Sequence, residues 1–101
     1  MIYINSEDQF NKEIKNGLVL LDFYASWCGP CRMLTPVLEE LEKTNKQIKI
    51  LKIDVDEEAN VELVRKFNIQ SIPALFLIKE GKVTKSSLGY ITLDQLNLFI
   101  K

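Results

Sequence analysis

Two cysteines, Cys28 and Cys31, stand three positions apart in Trp27-Cys28-Gly29-Pro30-Cys31, and the chain has no other cysteine. A thiol pair at this spacing falls on one helical turn, within reach of a disulfide. It can exchange electrons, hold a metal or staple the backbone. A structural zinc site wants four Cys or His ligands. This chain has two cysteines and no histidine, so only a dimer could complete such a site. A staple closing a loop of about four residues gains only about 2 kcal/mol. The pattern therefore favours exchange chemistry, with one thiol as nucleophile and the other as resolver. The missing histidine also removes Ser-His-Asp hydrolysis and Cys-His protease chemistry.

The flanking sequence makes the two sulfurs unequal. Leu18 to Ala25 is a nearly continuous apolar run, the pattern of a strand covered on both faces. A helix follows, with Leu34, Val37, Leu38 and Leu41 forming an i, i+3, i+4, i+7 stripe. Cys28 thus falls at or before the first helical residue. Unpaired N–H groups and the positive end of the helix dipole favour a thiolate there. Cys31 falls one turn further in and should be more buried. Pro30 suits the first turn, where its missing donor costs nothing, and Gly29 leaves room beside Cys28. Pro36, deeper in the helix, should kink it.

The remaining elements frame that strand and helix. Ile2-Tyr3-Ile4 is a short strand. Ser6 to Gln9 is a capping box opening a helix with Phe10 and Ile14 on one face, stopping near Asn16-Gly17. Gln47 to Val55 is a strand on which Ile48, Ile50, Lys52 and Asp54 share one face. Glu57 to Phe67 reads as a helix burying Leu63, Val64 and Phe67. Ala74 to Ile78 is a buried strand, Lys79-Glu80-Gly81-Lys82 a hairpin turn, and Val83 to Leu88 the returning strand. Thr92 to Gln95 is a second capping box, before a helix with Leu93, Leu96 and Ile100 inward. Strands alternating with helices predict an α/β fold, a central sheet flanked by helices with an antiparallel hairpin at its edge.

Composition narrows the class. The chain has 101 residues, one domain's worth, with an apolar fraction of 47%. Thirteen Lys+Arg balance fourteen Asp+Glu for a net charge of -1, which argues against nucleic-acid or polybasic membrane surfaces. No apolar run approaches the ~20 residues of a membrane span, and Met1 to Glu7 has no basic n-region. The expected address is the cytoplasm, where a cysteine pair is more often catalytic or metal-binding than structural.

Two charged residues break their strands. Asp22 interrupts the apolar run. Such a carboxylate needs a partner or a raised pKa if buried, unless strand twist carries it to a solvated edge. Lys52 reads by pattern as a solvated or snorkelling side chain. Ile72-Pro73 reads as a trans proline at a strand start. Trp27 is either a core aromatic or, beside a reactive thiol, an exposed apolar rim.

With Leu21-Asp22-Phe23-Tyr24-Ala25 before it, the pentapeptide resembles the thioredoxin family. The likeness runs over essentially the whole chain through Lys52, Ile72-Pro73, Gly81 and Gly89, in order and at near-family spacing. It implies the thioredoxin fold over residues 1–101, about five strands in a mixed sheet with about four helices. It implies that Cys28 attacks a protein disulfide, that Cys31 resolves the mixed disulfide, and that the pair cycles through a Cys28–Cys31 disulfide. It assigns Asp22 as proton acceptor for Cys31, Lys52 as its tuner, and a cis bond to Pro73. Trp27, Gly29, Pro30, Ile72, Pro73, Leu88 and Gly89 become the client-binding rim, with the Ile72 backbone free to pair with an extended client strand. A side chain at Gly89 would block that approach.

The resemblance also implies partners. A thioredoxin reductase would re-reduce the disulfide. Ribonucleotide reductase, peroxiredoxin and methionine sulfoxide reductase are expected clients of a monomer. No Gly-rich dinucleotide fingerprint is visible, so no cofactor is assigned. Gly29-Pro30 places no charge between the cysteines, unlike oxidants of the fold that carry histidine there, which points to a reductant. The alternative is a binding or chaperone subunit of the same fold with non-essential thiols. Two features depart from the family pattern. Tyr24 stands where many members have tryptophan, and Asp56 to Pro73 is about two residues longer than usual, leaving Glu57 to Asn60 uncertain in register.

Overall fold

Leu18–Tyr24 forms the central strand of the protein, β2, flanked on both sides by other strands. The computed structural model describes residues 1–101. Around β2 stand β1 (Ile2–Tyr3), β3 (Ile48–Asp54), β4 (Ala74–Lys79) and β5 (Lys82–Leu88), in the order β1-β3-β2-β4-β5. The first three are parallel, and β4 and β5 run antiparallel to their neighbours. Four helices, α1 (Glu7–Glu13), α2 (Gly29–Thr44), α3 (Val61–Lys66) and α4 (Leu93–Phe99), complete the arrangement expected from the sequence, a five-stranded mixed sheet with four helices.

Because β2 is covered on both faces, its alternate side chains enter two separate cores. Val19, Leu21 and Phe23 point to one face, with Leu51, Ile53, Phe10 of α1 and Leu63 of α3. Leu20 points to the other, with Ile48, Ile50, Leu75, Leu77, Leu34 and Leu38 of α2, and Leu96 of α4. Phe10, Phe23, Phe67 and Phe76 meet on the first face with ring centroids 5.0 to 5.9 Å apart, within the range of favourable aromatic pairing.

The capping box expected at α1 is only half made: Ser6 Oγ accepts from the Gln9 N–H, but Gln9 Oε1 accepts from the Asn5 N–H at 2.7 Å instead of from Ser6. At α4 both halves of the box between Thr92 and Gln95 are made. Helix α2 continues across Pro36 rather than breaking there. The missing proline N–H leaves the Arg32 carbonyl without its usual helical donor, while Leu34, Leu38 and Leu41 keep their places in the core. Strand β5 is exposed along most of its length.

The continuous helix expected over Glu57 to Phe67 is replaced by a 3-10 turn, Glu58–Asn60, followed by α3. Asn60 is the cause. It is fully buried, and its Nδ2 donates to the carbonyls of Ile4 (3.4 Å) and Asp54 (3.0 Å). A buried amide tied to the ends of two strands fixes where the turn stops and the helix starts. Of the three residues expected on the inner face of that helix, Leu63 is buried, whereas Val64 and Phe67 are only half-buried.

Asn60→Ala removes both bonds; the Asp54 carbonyl keeps the Glu57 N–H at 3.2 Å, while the Ile4 carbonyl loses its side-chain donor. Stability should fall by about 1–3 kcal/mol, read as a lower urea midpoint with an unchanged denaturant slope.

Candidate functional site

The site lies where β2 ends and α2 begins, outside the carboxyl end of the central parallel strands. Cys28 is the N-cap of α2 with extended backbone (φ -85°, ψ 112°), and the Cys31 N–H donates to its sulfur at 3.2 Å. The sulfur therefore takes the place that a serine or aspartate oxygen usually holds at a helix start. The two cysteines form a disulfide with their Cα atoms 5.2 Å apart. Cys28 is 5% exposed and Cys31 2%, so the resolver sits deeper, as the spacing implied. In the reduced protein, negative charge on Cys28 is favoured by the free N–H groups and dipole of α2.

Around this sulfur the structure gathers a rim. Trp27 is 67% exposed, and its indole N–H donates to Asp56 Oδ2 at 2.7 Å, which rules out the core reading. The Ile72–Pro73 bond is cis, and the Ile72 carbonyl oxygen lies 4.0 Å from Cys28 Sγ. The Ile72 N–H makes no hydrogen bond within the chain. Leu88 is exposed at the end of β5. Gly89 follows it at φ 86°, where its N–H donates to the Pro73 carbonyl at 2.8 Å and a Cβ would meet nothing within 4 Å. Gly29 and Pro30 form the first turn of α2. An apolar groove of about 260 Å³ opens beside the disulfide between Trp27, Val55, Val64, Ile69 and Ile72.

Behind the disulfide, parallel pairing sets Asp22 of β2 opposite Lys52 of β3. Both are buried, and Lys52 Nζ donates to Asp22 Oδ2 at 2.7 Å. The solvated-edge reading of Asp22 and the snorkelling reading of Lys52 both fall. Asp22 Oδ1 has no partner in the chain and is the oxygen open to a proton. Burial pushes the Asp22 carboxyl above the usual carboxylate range, and the Lys52 charge and hydrogen bond only partly offset this. A second opening, about 230 Å³, is lined by Cys31, Lys52, Thr35, Tyr24, Tyr3 and Arg32, so Cys31 and the lysine of the ion pair face one space. The Tyr24 hydroxyl is pushed up to about 12, by burial first and then by the charges of Asp54, Asp22 and Glu57 and the neighbouring Tyr3. It stays neutral at physiological pH.

Asp56, which orients Trp27, was not singled out by sequence reasoning. Its position just past the carboxyl end of a parallel strand, where such sheets present functional side chains, was the available signal. Arg32 was also passed over. Its Nη1 donates to the Ser26 carbonyl at 3.0 Å, tying the first turn of α2 to the loop before it.

The chain is similar along its whole length to known proteins. The thioredoxin family model matches residues 1–101. A thioredoxin from Chlamydia muridarum is 47% identical over 96 residues, covering 95% of this chain and 92% of that one. One from Bacillus subtilis is 47% identical over 92 residues, covering 89% and 86%. Among solved structures, Plasmodium falciparum thioredoxin superposes with a TM-score of 0.89 at 36% identity, over 99% of this chain and 96% of that one. The oxidised mitochondrial thioredoxin 3 of Saccharomyces cerevisiae gives 0.89 at 29% identity, over 99% and 92%.

The ion pair generates a stability test. Lys52→Met strands a buried carboxylate and should cost about 3–5 kcal/mol at neutral pH. Asp22→Leu combined with Lys52→Met should instead match or exceed the parent by up to about 4 kcal/mol. The sign with pH follows from the raised Asp22 pKa. A protonated Asp22 favours the fold, so its contribution is fully present below the unfolded carboxylate pKa and is lost as pH rises through the folded one. The penalty of Lys52→Met should therefore shrink on acidification, as followed by urea melts across pH.

Proposed function

The chain belongs to the thioredoxin family, and from that premise we propose how its residues divide the work of reducing disulfides. Family membership makes it a protein-disulfide reductase, with a reductase as electron donor and disulfide-containing proteins as clients. No helix is long and apolar enough to cross a membrane.

In the proposed cycle, Cys28 thiolate attacks one sulfur of a client disulfide. The client S–S bond breaks, a Cys28–client bond forms, and one client thiolate leaves. Asp22 takes the proton of the Cys31 thiol. The Cys31 thiolate then attacks Cys28 Sγ, closing the Cys28–Cys31 disulfide and expelling the second client thiolate. Two electrons have passed from the dithiol to the client. The reductase returns them, and we take this to be a thioredoxin reductase. Lys52 holds Asp22 in place and moderates its basicity.

The observation that carries this reading is the inequality of the two sulfurs. Cys28 caps the helix with Ile72 and Trp27 beside it, whereas Cys31 lies behind it in the space shared with Lys52. The client strand is proposed to run along Ile72, whose N–H and carbonyl are both unclaimed by backbone partners. Its side chains would rest on Trp27, Pro30, Pro73 and Leu88, with Gly29 and Gly89 leaving room for its backbone. We take residues 1–101 as one domain, because the family model spans all of them and one sheet carries both cores. A monomer working in the cytoplasm, with ribonucleotide reductase, peroxiredoxin and methionine sulfoxide reductase among its clients, completes the proposal. A binding subunit with idle thiols is the less favoured reading, since the curated relatives are thioredoxins.

Dithiothreitol-driven insulin reduction, followed by turbidity, should be strongly accelerated by the protein and return to the uncatalysed rate with Cys28→Ser. Cys31→Ser should accumulate mixed disulfides on Cys28, located by mass spectrometry. Cys28→Ser, which keeps only the Cys31 thiol, should accumulate few or none, and equal trapping on Cys31 in that variant would overturn the division of roles.

A further inference from the structure

The buried Lys52 ammonium has three N–H donors, and within the chain only one hydrogen bond, to Asp22, uses them. A buried cation with so little pairing needs a second source of stabilisation. The structure supplies one. Lys52 Nζ sits over the face of the Tyr24 ring, 4.4 Å from its centroid, well inside the ~6 Å reach of a cation–π contact. Register explains the arrangement. Asp22 and Tyr24 are two apart on β2 and project to the same side of the sheet, while Lys52 stands opposite Asp22 on the adjacent strand. Lys52 therefore lies directly across from the carboxylate and diagonally across from the ring.

We propose that Tyr24 is a positioning residue for the proton-handling pair, its ring face clamping the Lys52 ammonium against Asp22. Tyr3, paired with Lys52 in the β1–β3 ladder, packs edge-on against Tyr24, with centroids 6.4 Å apart at 80°, and steadies the ring. The hydroxyl of Tyr24 makes no hydrogen bond within the chain and remains neutral at working pH, so the ring and not a phenolate does the holding. The clamp stands at the opening beside Cys31, which shares no lining residue with the groove beside Trp27. A client seated in that groove leaves the clamp side free, so the pair can exchange protons with water during the resolving step. The groups that face the clamp are Tyr3 from β1, Asp22 from β2, Asp54 from β3, Glu57 from the loop after it, and Cys31 and Arg32 from α2.

This inference rests on Asp22 as proton acceptor for Cys31, and the test separates the two. In the reduced full-length protein, ring current should move the Lys52 ε-methylene protons upfield. Tyr24→Phe should keep that shift, Tyr24→Trp should keep or enlarge it, and Tyr24→Leu should abolish it. The Asp22 carboxyl midpoint, followed by carbon-13 NMR across pH, should rise in Tyr24→Leu as Lys52 swings out, and stay put in Tyr24→Phe. Single-turnover reduction of a disulfide peptide should slow by about twofold to tenfold on the acid side in Tyr24→Leu, the span of one such contact. An unchanged Lys52 shift in Tyr24→Leu, a falling Asp22 midpoint, or a Tyr24→Phe variant that behaves like the leucine would each overturn the clamp. If Tyr24→Leu does not fold, a Tyr24→Trp variant that loses the upfield shift does the same. Asp22→Asn tests the underlying reading alone. An acid limb that survives this change removes Asp22 as acceptor, while the Lys52 shift and the Asp22 midpoint still judge Tyr24.

Discussion

Everything at the site hangs on the register between β2 and β3. Leu18 to Tyr24 pairs residue for residue with Ile48 to Asp54. In a sheet covered on both faces, a slip of one residue sends every side chain to the wrong core. Leu20 and Ile50 must meet the α2 face while Leu21 and Leu51 meet the α1 and α3 face. Once those apolar residues choose their sides, Asp22 and Lys52 are carried together, because each lies two positions beyond a residue of the α2-facing core. Burial of a charge pair adds little stability by itself. The apolar register enforces the pairing, and the pairing in turn makes a buried carboxylate tolerable behind a reactive thiol.

The same strand hands the chain to α2, and that junction gives the sulfurs different surroundings. A helix must leave its first N–H groups unsatisfied, and here Cys28 occupies the place where an oxygen cap would normally answer them. One turn later, Cys31 lies in the apolar shell with Ala25, next to the opening that reaches Lys52. A single backbone event, strand into helix, thus produces an exchangeable outer sulfur and a sheltered inner one.

Much of this was legible in the sequence, for identifiable reasons. The strands and α2 follow from apolar periodicity, and the two capped helices from Ser6 and Thr92 with glutamine three residues on. Pattern alone could not decide Asp22, Lys52, Trp27 or Pro73, because each depends on what tertiary packing brings opposite. The family resemblance had pointed Asp22, Lys52 and Pro73 to the arrangement observed. The segment after Asp56 has helical composition from Glu58 to Phe67, so periodicity alone points to one helix where the structure has a turn and then α3. The deciding influence was Asn60, whose amide bonds to carbonyls far away in sequence or on another element leave no trace in periodicity.

Trp27 is the only tryptophan in the chain, pinned by Asp56 within the rim around the disulfide. The chain therefore has a single long-wavelength emitter, and it stands beside the disulfide, on the face proposed to meet clients. The intrinsic fluorescence of the molecule comes from one place and one environment. Opening the neighbouring disulfide, or covering the indole with a bound chain, changes the surroundings of that emitter directly, so the protein carries an optical gauge of its own redox state and occupancy.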